Sequence, residues 1–135
     1  MARQAGARLP IKTEIVESSA ESMPLDERSF DTVVMTWTLC SVPDPSVALR
    51  EIRRVLKPDG RLFFAEHGLA PDRRIQRWQH WLTPLWQHVA GGCHLDRDMG
   101  GLIAQAGFRI ERLDTGYMRG ARPMTFMYEG SAALE

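Results

Sequence analysis

Glu66 and His67 close an apolar run, Leu62-Phe63-Phe64-Ala65, and an imidazole at the end of such a run can take a proton from a thiol, hydroxyl or amine at neutral pH. The plainer alternative is two polar residues where a loop begins. Cys40, Cys93 and His94 add two soft donors and a second imidazole. With His67 they make an imaginable metal set, but only Cys93 and His94 adjoin and no C-x2-C spacing occurs, so the spacing predicts no metal site. Ile75, Trp78, Trp81, Leu82, Leu85, Trp86 and Val89 form an apolar stripe beside Arg73, Arg74, Arg77 and His80. The stripe suits a helix packed on a core, or an interfacial helix with tryptophan at lipid headgroups and arginine near anionic lipid.

The elements that must position these residues alternate along the chain. Residues 2–8 read as the end of a helix stopped by Pro10, and residues 11–16 (IKTEIV) alternate as a short strand. Residues 30–39 (FDTVVMTWTL) form a nearly continuous apolar and β-branched run, the pattern of a strand buried on both faces. Asp44 is placed to cap a helix with Pro45 at its first position, and Ala48, Ile52, Val55 and Leu56 share one helical face. Pro58-Asp59-Gly60 predicts a turn into a second buried strand, Leu62-Phe63-Phe64-Ala65. Residues 72–89 predict a helix bent at Pro84. Asp96 predicts the cap of a further helix closed by Gly107. Residues 108–118 and 123–130 predict strands joined as a hairpin through Arg119-Gly120-Ala121-Arg122. The plan is α/β and doubly wound, a fold that binds ligands beyond the carboxyl ends of its strands.

Composition narrows the partners. The chain has 135 residues, enough for one domain, and 17 basic side chains balance 17 acidic ones. A zero formal charge argues against bulk electrostatic binding of nucleic acid. Two cysteines make no disulfide framework, no signal peptide or membrane-spanning run is recognisable, and a reducing, cytoplasmic setting is the expectation.

Three segments occur in a telling order: residues 19–25 (SAESMPL), residues 29–34 (SFDTVV) and residues 48–60 (ALREIRRVLKPDG). Together they resemble the later motifs of the small-molecule class I S-adenosylmethionine-dependent methyltransferases, which include quinone- and phospholipid-methylating enzymes. The likeness runs from about Ile11 to Ala132. Leu39-Cys40-Ser41-Val42, residues 62–67 (LFFAEH), residues 84–88 (PLWQH) and Gly91-Gly92-Cys93 are similar, more narrowly, to the methyltransferase-like thiol S-methyltransferases of animal membranes and their bacterial relatives.

The resemblance implies an incomplete Rossmann-like methyltransferase sheet with a C-terminal antiparallel hairpin, taken from the family strand order 3-2-1-4-5-7-6. The family's Gly-rich cofactor loop and the acidic residue that holds the ribose have no counterpart in this sequence. Residues 1–135 are therefore expected to form a single partial domain lacking two strand–helix units of roughly 30 residues each. The implied cofactor of the complete protein is S-adenosylmethionine, and the implied substrate is a small apolar acceptor. Ser19 and Ala20 fall beside the adenine, while Met35, Thr36 and Trp37 line the cofactor, Trp37 through an aromatic face that attracts a sulfonium. Cys40 lines the region of the transferred methyl group or simply fills a small apolar space; Trp78, Trp86 and His94 belong to a lid or pocket wall; His67 is the candidate base. In-line methyl transfer can also proceed by positioning alone. A non-catalytic module that keeps this half of the fold without binding cofactor is the alternative. An unblunted strand 30–39 further predicts a homodimer, or exchange of the 11–16 strand between copies.

Overall fold

The computed structural model describes residues 12–135. The expected helix end at 2–8, and Ile11, lie outside the described residues. The first strand, β1 (Phe30–Thr36), leads through a loop to helix α1 (Pro45–Val55), and strand β2 (Leu56–His67) follows directly. Helix α2 (Arg73–Val89), short helix α3 (Met99–Gln105), strand β3 (Phe108–Tyr117) and strand β4 (Phe126–Leu134) complete the chain. The sheet order is β1-β2-β4-β3, with β1 parallel to β2 and β4 antiparallel to both neighbours. This is the 4-5-7-6 end of the order that the sequence resemblance implied.

Local chemistry sets the helix starts. The Asp44 carboxylate accepts from the Ser46 and Val47 N–H groups at 2.9 and 3.1 Å, with Pro45 in the first helical turn, as expected. The next cap differs from expectation. Asp98 rather than Asp96 caps α3, accepting from the Gly101 N–H at 3.1 Å, while Asp96 carries the His80 imidazole at 3.0 Å. Both aspartates offer a capping carboxylate, and the chain between them is held by Arg97, so the later one meets the helix start. Gly107 then terminates the helix at φ +80°, where a Cβ would strike the Arg53 guanidinium.

Three strand expectations change. Residues 12–16 form no strand and lie exposed, because no strand beside them supplies a hydrogen-bonding edge. The strand at 30–39 ends at Thr36 and is not buried on both faces: only Met35 is buried, and Val34 is 69% exposed. β1 is an edge strand here, with no layer over its outer side among the described residues. In β2, Leu62 and Phe64 are buried while Phe63 is exposed, and Pro58-Asp59-Gly60 makes an irregularity within the strand rather than a separate turn. The hairpin forms as expected, its connection holding a short 3-10 turn at Arg122–Met124.

The core lies between the sheet and the helices, around Leu39, Leu49, Leu62, Leu95, Ile103 and Phe108. α2 divides its apolar stripe. Leu82 and Trp86 pack against that core, whereas Trp78, Trp81, Leu85 and Val89, at i, i+3, i+7 and i+11, face outward. Pro84 lies inside the helix without ending it. The inward side is anchored by buried Gln79, whose amide accepts from the Ala70 N–H at 2.9 Å and donates to Gly68 O and Pro123 O at 3.0 and 3.1 Å.

One-sided burial of β1 predicts unequal costs along it. Met35→Ala should lose about 2–5 kcal/mol of stability, whereas Val34→Thr should stay within about 0.5 kcal/mol. Urea unfolding measures both, and a comparable loss at Val34 would reveal a cover over the outer face.

Candidate active site

The site forms beyond the carboxyl ends of the parallel pair β1 and β2, where strand alternation splits Glu66 from His67. Glu66 continues the buried series of Leu62 and Phe64 and is fully buried, while His67 is half-buried. The Glu66 carboxylate accepts from the Thr38 N–H at 2.7 Å and the Cys40 N–H at 3.2 Å. Burial pushes this carboxyl above the ordinary range, and the N–H groups of Thr38, Cys40 and Leu39 oppose that push. Glu66 therefore holds the loop after β1 and is not free to act as a base.

Arg97 grips the same loop through its carbonyls. Its guanidinium donates to Leu39 O and, at 2.8 Å, to Val42 O. The turn after α2 closes on the loop from a third side: the His94 N–H donates to Cys40 O at 2.6 Å. Gly92, at φ +87°, comes so near that an added Cβ would sit 3.0 Å from Ser41 O.

These clamps create a compact chemical cluster. One donor atom each from Cys40, His67 and Cys93 lies within 4.8 Å of the others, with Cys93 Sγ 3.9 Å from His67 Nδ1. The two thiols are pushed in opposite directions. The Cys40 thiol, hydrogen-bonded to Cys93 and buried, is pushed up, whereas Cys93 is pushed down by the Cys40 hydrogen bond, with His67 and Trp86 assisting against burial. Trp86 Nε1 is buried without a hydrogen-bond acceptor. Trp37 covers the outer side, its ring stacked on His67 at 5.6 Å and 16°. The Trp37 backbone sits at φ +48°, a left-handed conformation unusual for a bulky residue, and the ring is 56% exposed.

The other expected residues distribute as follows. Met35 is buried and Ala20 packs against the same core, while Thr36 is exposed beside Trp37. Ser19 is exposed, its Oγ accepting from the Glu21 N–H at 3.1 Å; Glu21 in turn accepts from the Asp44 N–H at 2.7 Å and ties this turn to α1. His94 adjoins the cluster, its Nδ1 accepting from the Gln87 amide Nε2 at 2.9 Å. Trp78 stands apart, edge-on to Trp81 at 5.7 Å on the exposed face of α2. The structure thus unites Trp37, Cys40, His67 and Trp86 and leaves Trp78 outside. Sequence reasoning gave Cys93 no place in the site and missed Arg97 altogether. The inward series Leu62, Phe64, Glu66 was the available signal for the role of Glu66; Arg97 carries no comparable signal.

A methyltransferase-domain family matches residues 1–64 of the chain. The thiol S-methyltransferase TMT1B of Rattus norvegicus is 42% identical over 101 residues, covering 74% of this chain and 41% of that protein. The thiol S-methyltransferase TMT1A of Homo sapiens is 37% identical over 95 residues, covering 69% and 39% respectively. A solved S-adenosylmethionine-dependent methyltransferase of Methanosarcina mazei superposes with a TM-score of 0.72 at 22% identity, over 99% of this chain and 76% of that one, a likeness of fold. The chain belongs to the class I S-adenosylmethionine-dependent methyltransferases. Within that class it is similar to the thiol S-methyltransferases, and it spans about two-fifths of their length.

The Glu66 clamp has a measurable signature. Glu66→Gln turns an amide toward backbone N–H donors and should cost about 1–3 kcal/mol. Because the folded carboxyl titrates above its unfolded value, its contribution is full below the unfolded value and is lost as pH rises through the raised folded one. The wild type should show that falling slope in pH-dependent unfolding, and the glutamine variant should lack it.

Proposed function

We propose that this chain forms the acceptor side of an enzyme that moves a methyl group from S-adenosylmethionine to the sulfur of a small apolar thiol. The reading is carried by one observation: the half-buried His67 imidazole stands at the carboxyl end of β2 beneath an exposed Trp37 ring, in a segment similar to thiol S-methyltransferases. S-adenosylmethionine supplies an electrophilic methyl group on a sulfonium sulfur. The exposed face of Trp37 suits that cation. Exposed Thr36 walls the approach while Met35 supports the strand from the core, and Ser19 Oγ keeps a free lone pair beside Ala20 for the adenine amino group. The described residues thus fit one side of the cofactor. His67 takes the acceptor's proton, and Cys40, Trp86 and His94 shape the acceptor side.

Trp78 serves a different purpose in this reading. With Trp81 71% exposed and Arg74 and Arg77 flanking a shallow hollow, the outer face of α2 fits a lid or a peripheral membrane contact better than a core. No helix among the described residues is long and apolar enough to cross a membrane. The protein is proposed to be cytoplasmic and homodimeric, its copies meeting along the open edge of β1. The second reading is a non-catalytic module that retains this half of the fold.

Two measurements separate the readings. Calorimetry should give S-adenosylmethionine affinity far weaker for this chain than for one extended N-terminally by a Gly-rich strand–loop–helix unit. In the extended enzyme, His67→Ala should lower methylation of an alkyl thiol by about 10²–10⁴-fold. No binding or turnover by the extended chain would favour the non-catalytic module. Sedimentation of a dilute sample should give a mass above the 15.3 kDa of one chain.

A further inference from the structure

Cys40, His67 and Cys93 lie far apart along the chain, yet the fold gathers their donor atoms within 4.8 Å. Two sulfurs and one imidazole nitrogen are the donor set of a catalytic zinc site, in which the fourth position stays open for water or substrate. Around a tetrahedral zinc the sulfur–sulfur and sulfur–nitrogen separations would be about 3.8 and 3.6 Å. The 3.9 Å between Cys93 Sγ and His67 Nδ1 already approaches that spacing. Among the described residues no fourth His, Cys, Asp or Glu joins the group.

The surroundings also match what a soft cation needs. The backbones carrying the sulfurs are fixed, Cys40 by Glu66 and by the His94 N–H, and Cys93 by its own N–H to Ala90 O at 3.2 Å. Stacking on Trp37 fixes the plane of the His67 ring. The buried Trp86 Nε1 lacks an acceptor, and a metal-bound Cys93 thiolate would offer it one. Both sulfurs are buried, while His67 is half-buried, so the approach is from the His67 and Trp37 side.

We propose that Cys40, His67 and Cys93 bind a soft divalent cation of the zinc class, whose open fourth position takes the acceptor thiol. The acceptor half of this inference rests on the thiol-methylating reading, and it reassigns His67 from base to ligand. On binding, the acceptor S–H releases its proton to solvent and its sulfur coordinates as thiolate, because a coordinated thiol is deprotonated. A lone pair of that sulfur forms the new bond to the methyl carbon of the sulfonium donor. The old carbon–sulfur bond breaks with its electron pair remaining on the departing thioether sulfur. The methylated product is a neutral thioether, a weaker ligand than a thiolate, and it leaves.

Metal binding is tested on this chain without any turnover. The reduced, metal-free chain should take up one equivalent of zinc against a chromophoric chelator. Cobalt should give the intense visible bands of a tetrahedral thiolate site. Cys93→Ser should abolish those bands. His67→Ala, at a half-buried position that should tolerate truncation, should weaken zinc by more than the roughly 10–100-fold typical of an outer partner. His80→Ala should change nothing. Absence of uptake by the wild type, or undiminished uptake by both Cys93→Ser and His67→Ala, overturns the site. An alkyl thiol added to the cobalt-loaded chain should shift its visible spectrum; an indifferent spectrum overturns the acceptor's place on the metal. Metal uptake with no methylation by the N-terminally extended enzyme counts against the proposed function alone and leaves the site standing.

Discussion

A carboxylate with no access to water holds the functional end of this molecule together. Glu66 lies at the end of β2 on its core-facing side, and the N–H groups of Thr38 and Cys40 replace the solvent it has lost. Those bonds bend the chain after β1 back over the sheet, and Arg97 completes the grip by donating to carbonyls of the same loop. The two side chains act on opposite polarities of one backbone segment, so the loop's donors and acceptors are satisfied together. The unusual backbone of Trp37 persists because its flanks are so constrained: its N–H continues the β1–β2 ladder to Ala65 O, and the next residue is already bound to Glu66.

From this clamp follows the chemistry beyond it. Cys40 is drawn under the loop, and the turn after α2 is tied to it by the His94 N–H, which delivers Cys93 beside it. α2 in turn is seated by the buried amide of Gln79 on the segment following His67. Tyr128 reinforces that segment by donating to Leu69 O at 2.6 Å, and burial pushes its hydroxyl up to about 12. A cysteine pair, a histidine and an indole thus converge from four separate parts of the chain.

The remaining surface is less self-contained. β1 presents an outer edge and an uncovered face, and α2 presents tryptophan and leucine to solvent. On the other flank the antiparallel β4 pairs with β2 and β3 with β4, so β2 is an inner strand of the sheet.

Local chemistry made much of the fold legible. Asp44-Pro45 marked a helix start, Gly107 a helix end, and the residues 108–130 a hairpin, because each depends on side chains within a few positions of the backbone they serve. The ordered motifs likewise pointed to the methyltransferase class. Burial of β1 was misread because an apolar run shows that a strand can be covered, not that a layer lies over it. Residues 12–16 were misread for a related reason: alternation prepares a strand, but only a neighbouring edge makes one. Asp96 and Asp98 could not be ranked as caps, since Arg97 between them is committed to a distant loop. Trp37, Cys40 and His67 were recognisable as candidates from the sequence. That Glu66 is a clamp, and that Cys93 meets Cys40 and His67, depended on the tertiary structure, because contacts between residues far apart in sequence are set by strand pairing and helix seating rather than by local spacing.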